Sequence, residues 1–238
     1  MAVTRIAMWS GPRTISTAMM RAWENRPDTT VVDEPLYAAY LATTGIEHPG
    51  REEVLAAQPA EWRAAVAELV HGDVPTPIHY QKHMTHHMTP DVELGPFEPL
   101  THAFLIRDPT RLVASYARVR SAPTPADLGL DRQLELFVRF GGPVVDADDV
   151  LRDPRGMLTA LCAALGVPWD ERMLSWPAGR RDSDGVWAPH WYAAVERSTG
   201  FGPPAAGAPE IPPRLEPVRD ACRGPYATMA AHRLRPGD

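Results

Sequence analysis

Short β-like runs alternate with helical patterns through the first two thirds of the chain, and this alternation is the feature that most restricts its fold. "RIAMW" (5–9) precedes a helical pattern from about Ile15, "TTVVDE" precedes patterns around Glu52 and Glu61, and "PIHYQK" is followed by "THAFLIR" and another helix. Strands taking turns with helices imply βαβ units. The expected fold class is therefore α/β: three α/β/α layers around a central, mainly parallel sheet. Right-handed crossovers bring the strand C-termini to one edge, where such sheets bind ligands. The 238 residues suit a single domain. Within it "GPPAAGAPEIPPRLEP" (202–217) reads as an extended surface arm before a final helix, because proline removes amide donors and fixes φ.

Composition narrows the function. With 44% hydrophobic and 23% charged residues the chain is of ordinary globular type. A net charge of −6 gives no support to a broad nucleic-acid surface. No apolar run reaches the ~18 residues of a membrane span, and "MAVTRIAMWS" lacks a signal peptide's apolar core and cleavage site, so the expected compartment is the cytoplasm. Cys162 and Cys222 form neither a CxxC motif nor a disulfide framework and are expected to be buried thiols. Of the 24 basic residues that are Lys or Arg, Lys82 is the sole lysine. A compact ammonium kept where every other such cation is a guanidinium points to a chemical role.

The turn Ser10–Thr14 joins the first strand to the first helix. Such a turn aims free amides and the positive end of a helix dipole at whatever lies above, a favourable site for phosphate. Arg13, Thr14, Ser16 and Thr17 add a cation and hydroxyl donors. Gly11 is followed by "PRTIST" with no Gly-Lys pair, so the nucleotide loop GxxxxGK[ST] is absent and an ATP or GTP reading loses its main support. A plainer alternative is a tight turn capped by Ser or Thr. A second anion site is expected in "THAFLIRDPTRLVASYARV", where Asp108 reads as an N-cap and Pro109 as the first helical residue. Arg107 at the strand end and Ser115 two helical turns on can converge on one anion.

These motifs resemble those of sulfotransferases that use 3′-phosphoadenosine 5′-phosphosulfate (PAPS), a family of P-loop-type fold. "SGPRTIST" is similar to the family's 5′-phosphosulfate loop and "IRDPTRLVASY" to its 3′-phosphate motif. "VVDADDVLRDPRGMLTALCAALGVPW" is similar to the strand and helix that follow, with Ala147-Asp148 where Tyr-Glu is usual. The likeness covers most of residues 5 to 170 in the family's order and is nearest to its bacterial and divergent branch. It implies that Gly11, Pro12, Arg13, Thr14, Ile15, Ser16 and Thr17 cradle the sulfate-bearing end, with Arg13 in place of the family's lysine. It also implies that Arg107 and Ser115 grip the 3′-phosphate of PAPS and of the product PAP. Arg180, Arg181 and Gly185 are loose counterparts of a late basic segment that folds back onto that phosphate.

The family often ends its central strand in Lys-x-His, and Lys82 matches the lysine while position 84 is methionine. The base for the acceptor is therefore open among His83, His86, His87 and Glu34, with His86 first and Glu34 second. Lys82 and Arg13 are the candidates at the leaving group, because sulfuryl transfer, like phosphoryl transfer, relies on positioning and electrostatics. The histidines have i,i+3 and i,i+4 spacing, yet no HExxH, cysteine pair or third ligand accompanies them, and no metal is expected. Trp187, Trp191 and Tyr192 are candidates to wall an acceptor pocket, while the spacing of Trp187, Trp191 and Val195 fits an ordinary buried helix face. The expected function is sulfuryl transfer to a hydroxyl or amine of a small molecule. The rivals are an ATP-dependent small-molecule kinase and a non-catalytic nucleotide-binding protein.

Overall fold

The computed structural model describes residues 3–120 and 122–237. Five strands, β1 (Thr4–Ser10), β2 (Thr29–Asp33), β3 (Ile78–Met84), β4 (Thr101–Ile106) and β5 (Val144–Asp146), form one sheet in the order β2-β3-β1-β4-β5. Every pairing is parallel. The helices are α1 (Ser16–Glu24), α2 (Tyr37–Thr44), α3 (Arg51–Ala57), α4 (Trp62–His71), α5 (Pro109–Tyr116), α6 (Pro125–Leu128), α7 (Leu130–Phe140), α8 (Ala147–Arg152), α9 (Pro154–Ala164), α10 (Ala188–Trp191), α11 (Ala193–Glu196) and α12 (Glu216–Ala230). The three-layer α/β architecture expected from the alternating pattern is what the chain adopts. No helix among the described residues is long and apolar enough to cross a membrane.

Side chains alternate across each strand, so the sheet feeds two separate cores. Ile6 and Met8 of β1, Tyr80 of β3 and Leu105 of β4 pack beneath Met19, Met20 and Trp23 of α1 and Leu158 and Leu161 of α9. Ala7, Trp9, Phe104 and Ile106 meet the opposite layer, where Trp62 and Val66 of α4, Leu136 of α7 and Met229 of α12 close the core. The β1 and β4 ends are tied on that side by Gln133 of α7, whose Nε2 donates to the Trp9 and Leu105 carbonyls at 2.9 and 3.0 Å. Satisfying those two buried acceptors holds both strand ends where the loops leave the sheet.

The proline-rich arm is irregular from 202 to 212, and Pro213–Leu215 form a 3₁₀ turn. Glu216 and Pro217, expected in the arm, already belong to α12, because proline is tolerated in a first helical turn. Cys162 and Cys222 are free and buried.

Parity turns His83 away from the side of the sheet that Lys82 faces. It sits on the face of β3 opposite Lys82, in register with Trp9 and stacked on it at 4.3 Å, and its Nε2 donates to Gln81 Oε1 at 3.1 Å. Burial pushes its pKa from 6.5 down to about 3. The folded chain then binds fewer protons than the unfolded chain between these values, so the stability is present above pH 6.5 and lost as pH falls towards 3. Urea denaturation at pH 7 and pH 5 should show His83→Phe losing less stability on acidification than the wild type, by about 2 kcal/mol.

Candidate active site

Residues 11 to 15 turn sharply from β1 into α1. Gly11 lies against the Leu128 carbonyl, 2.7 Å from where a Cβ would stand, and the Thr14 hydroxyl donates to the Gly11 carbonyl at 2.8 Å. Arg13 and Ile15 both take left-handed backbone angles, with φ of 62° and 58°. Non-glycine residues rarely do so, and the strain is held by the surrounding contacts. Ile15 occupies the N-cap position without a side-chain cap, contrary to the plain expectation of a Ser or Thr cap. The first amides of α1 are thus left for another acceptor.

A cavity of about 590 Å³ opens above this turn. Pro12, Arg13, Ile15, Ser16 and Thr17 form one wall, Arg107 and Ser115 another, and Glu34, Lys82, His86 and His87 its depth. Gly11 and Thr14 shape the loop from behind and are not among the lining residues. The two expected anion sites therefore share one chamber. They are also bonded to each other: Arg107 Nη1 donates to the Arg13 carbonyl at 2.6 Å, and Arg13 Nε donates to Ser115 Oγ at 3.0 Å. Asp108 caps α5 as its sequence suggests, accepting from the Thr110 and Arg111 amides. Desolvation first, and then the Arg107 charge, lower the Arg13 pKa, so a bound anion would relieve two crowded cations.

Asp148, part of the family-like stretch "VVDADDV", anchors this cationic pole. Its carboxylate lies 2.7 Å from Arg111 Nε and 3.9 Å from Arg107 Nε. It stands where the family motif carries glutamate, which was the available signal. Arg111 also donates to the Ala205 and Gly207 carbonyls and so fastens the arm beside the site.

Lys82 is 1% exposed and its ammonium donates to Asp33 Oδ1 at 2.8 Å, Glu34 Oε1 at 2.6 Å and Tyr192 OH at 2.7 Å. Asp33 is the register partner of Lys82 across β2 and β3. Glu34, just past β2 with φ of 39°, has its Oε2 3.9 Å from His87 Nε2. Burial, opposed mainly by Lys82, raises the Glu34 pKa. His86 and His87 occupy a 3₁₀ turn, Thr85–His87, after β3; burial lowers His86 to about 3 and His87 well below its usual value. His87 stacks on Tyr37 at 4.7 Å.

Arg180, Arg181 and Gly185 do not reach this chamber. Arg180 is exposed, Arg181 Nη2 donates to the Pro177 carbonyl, and the Gly185 amide donates to Asp33 Oδ2 at 3.1 Å. Their segment is fixed to α1 instead, through the buried Arg21–Asp184 pair at 2.6 Å and a bond from Ser183 to Glu24. His83 is likewise absent from the lining, for the reason of parity given above. Of the three aromatics, Trp187 is core, packed with Tyr37, Leu41 and Val54, whereas Trp191 and Tyr192 line the cavity. Asp33 and Tyr192 are 159 positions apart, and only folding unites them.

A family profile described as "Sulfotransferase domain" matches residues 4–232. The chain belongs to the sulfotransferase-domain family. Solved sulfotransferase domains share the fold: that of the Synechococcus PCC 7002 olefin synthase has a TM-score of 0.62 at 18% identity, covering 98% of this chain and 96% of its own. A domain from the curacin biosynthetic pathway gives 0.55 at 14% identity over 98% and 92%. A sulfotransferase from Alicyclobacillus acidocaldarius gives 0.51 at 15% over 99% and 98%. Two Arabidopsis thaliana proteins named branched-chain-amino-acid aminotransferase-like proteins 1 and 2 are 37% and 31% identical, over 84% and 95% of this chain. The chain spans only 37% and 41% of their lengths.

In this sulfotransferase-family loop, Gly11→Ala should cost about 1–3 kcal/mol, since the new methyl group meets a backbone carbonyl that can move only with the α6–α7 junction. Equilibrium urea denaturation measures it, and an unchanged midpoint would show that the loop is not confined there.

Proposed function

We propose that the chain transfers a sulfuryl group from PAPS to a hydroxyl or amine of a small-molecule acceptor. The observation that carries this reading is the bonded set Arg13, Arg107 and Ser115 at the wall of the cavity that also holds Glu34. The residues present suit such a donor: α1 has an uncapped N-terminus, and the buried Arg107 Nε lacks a hydrogen-bond partner among the described residues. The loop 11–17, with Arg13, Ser16 and Thr17, would hold the sulfate-bearing end, and Arg107 and Ser115 the 3′-phosphate. PAPS, when bound, supplies the activated sulfuryl group and leaves as PAP.

On the protein's side the chemistry needs anion stabilisation and a base. Arg13 and the first α1 amides offer fixed positive ends towards the donor. An imidazole lowered to about 3, like that of His86, has little drive to take a proton, whereas a carboxylate raised by burial is a stronger base. Glu34 is therefore the proposed base, ahead of His86 and His87. The acceptor oxygen or nitrogen bonds to sulfur, the sulfur–bridging-oxygen bond breaks, and the acceptor proton passes to Glu34.

The name of the Arabidopsis relatives suggests amino-group transfer, for which a lysine would form a Schiff base. The sole lysine of this chain is buried with its ammonium in three hydrogen bonds, which disfavours that chemistry in this region.

In a thermal-shift comparison, PAP should stabilise the protein more than ATP or GTP, and preferential stabilisation by ATP would favour a kinase instead. Arg107→Ala should weaken PAP binding by about 1.5–3 kcal/mol, the scale of a charge-assisted bond, and an unchanged affinity would remove Arg107 from the site. Sulfate transfer from labelled PAPS, assayed over an acceptor panel, should decline as pH falls through the raised Glu34 pKa, because the protonated carboxyl cannot accept a proton. Glu34→Gln should bind PAP normally and transfer at least a hundredfold more slowly. PAP binding with no transfer to any acceptor would favour a non-catalytic role.

A further inference from the structure

An ammonium has three N–H donors and no acceptor. All three donors of Lys82 are spent, on Asp33 Oδ1, Glu34 Oε1 and the Tyr192 hydroxyl, at 2.6–2.8 Å. A donor to a leaving-group oxygen would have to break one of these bonds inside a site only 1% exposed at the lysine. The Tyr192 hydroxyl in turn donates to Asp33 Oδ2 at 2.7 Å and receives the Trp187 indole N–H at 3.2 Å, while the Gly185 amide also donates to Asp33 Oδ2 at 3.1 Å. The result is a closed network joining the ends of β2 and β3 to the segment 185–192. Glu34 enters it through Oε1, and its Oε2, 3.9 Å from His87 Nε2, is the oxygen left for proton transfer.

We propose that Lys82 is a positioning residue rather than a leaving-group cation: with Asp33 and Tyr192 it clamps one oxygen of Glu34, and the clamp is complete only when the 185–192 segment is docked. The assignment rests on the reading of Glu34 as the base. It assigns Arg13 and the α1 amides alone to the leaving side. It also gives Gly185, whose amide donates to Asp33 Oδ2, a part in closing the base's network. The groups that face Glu34 are Lys82 from β3, Asp33 from β2, Tyr192 from the α10–α11 junction, His87 from the turn after β3 and Tyr37 from α2. Among them Lys82 is the cation that favours the ionised carboxylate.

Because the chain has one lysine, [15N]lysine labelling of the full protein yields a single side-chain ammonium resonance. In the wild type it should exchange slowly with solvent and resist reductive methylation, and both protections should persist when PAP is added. Tyr192→Phe should weaken that protection, reduce kcat about tenfold and move the acid limb of the kcat profile, with PAP affinity and the KM for PAPS unchanged. Asp33→Asn is the second variant should Tyr192→Phe fail to fold, with the same readouts. If the ammonium loses its protection when PAP binds, or Tyr192→Phe lowers PAP affinity and leaves kcat intact, the clamp assignment is overturned. A wild type that transfers sulfate while its lysine methylates freely overturns the clamp alone. A wild type with a protected lysine and no transfer overturns the Glu34 base reading, and the proposal falls with it.

Discussion

Parallel pairing of β1 with β3 on one side and β4 on the other is the constraint on which the site depends. All three strands end at the same edge, so the segments that follow them, residues 11–15, the turn 85–87 and Arg107, emerge side by side. An antiparallel neighbour would have carried one of these segments to the far edge. The bond from Arg107 to the Arg13 carbonyl spans 94 positions and exists because β1 and β4 are adjacent. Gln133 reinforces the arrangement by taking the carbonyls at the ends of both strands from the opposite layer.

The edge is electrically divided. On the β4 side Arg107 and Arg111 gather around one carboxylate, Asp148, and Arg13 and Arg107 crowd each other enough for a further anion to be welcome. On the β2 side two carboxylates, Asp33 and Glu34, share one ammonium, so burial outweighs attraction and Glu34 keeps a raised pKa. A cavity with a cationic wall next to a basic carboxylate suits a reaction in which an anionic group leaves at one end and a proton leaves at the other. Breaking the buried ion cluster from either side would strand a charge, which makes it costly to rearrange.

Much of the fold was legible in the chain because hydrophobic periodicity and turn chemistry are local. The strand-to-helix turns after β1 and β4, the Asp108–Pro109 helix start and the placing of Arg107 and Ser115 on one cavity all lie within stretches of some ten residues. Strand alternation also contained a signal for His83: Lys82 and Met84 share a face, and the residue between them must face the other core. Arg180, Arg181 and Gly185 were misplaced because a basic glycine-containing segment carries no record of its partner, here α1 and Asp33.

Local order therefore settled the class of fold, the edge on which the cavity opens and the cationic residues placed along it, since each of these follows from patterns spanning one or two elements. Tertiary structure alone decided which polar side chains are saturated and which keep a free atom on the cavity. The hydrogen-bond capacity of Lys82 is exhausted by Asp33, 49 positions away, and by Tyr192, 110 positions away, and saturation of a donor depends on which groups the finished fold brings within 3 Å. The opposite shifts of Glu34 and the histidines have the same origin, because burial raises the one and lowers the others only once the chain has closed around them.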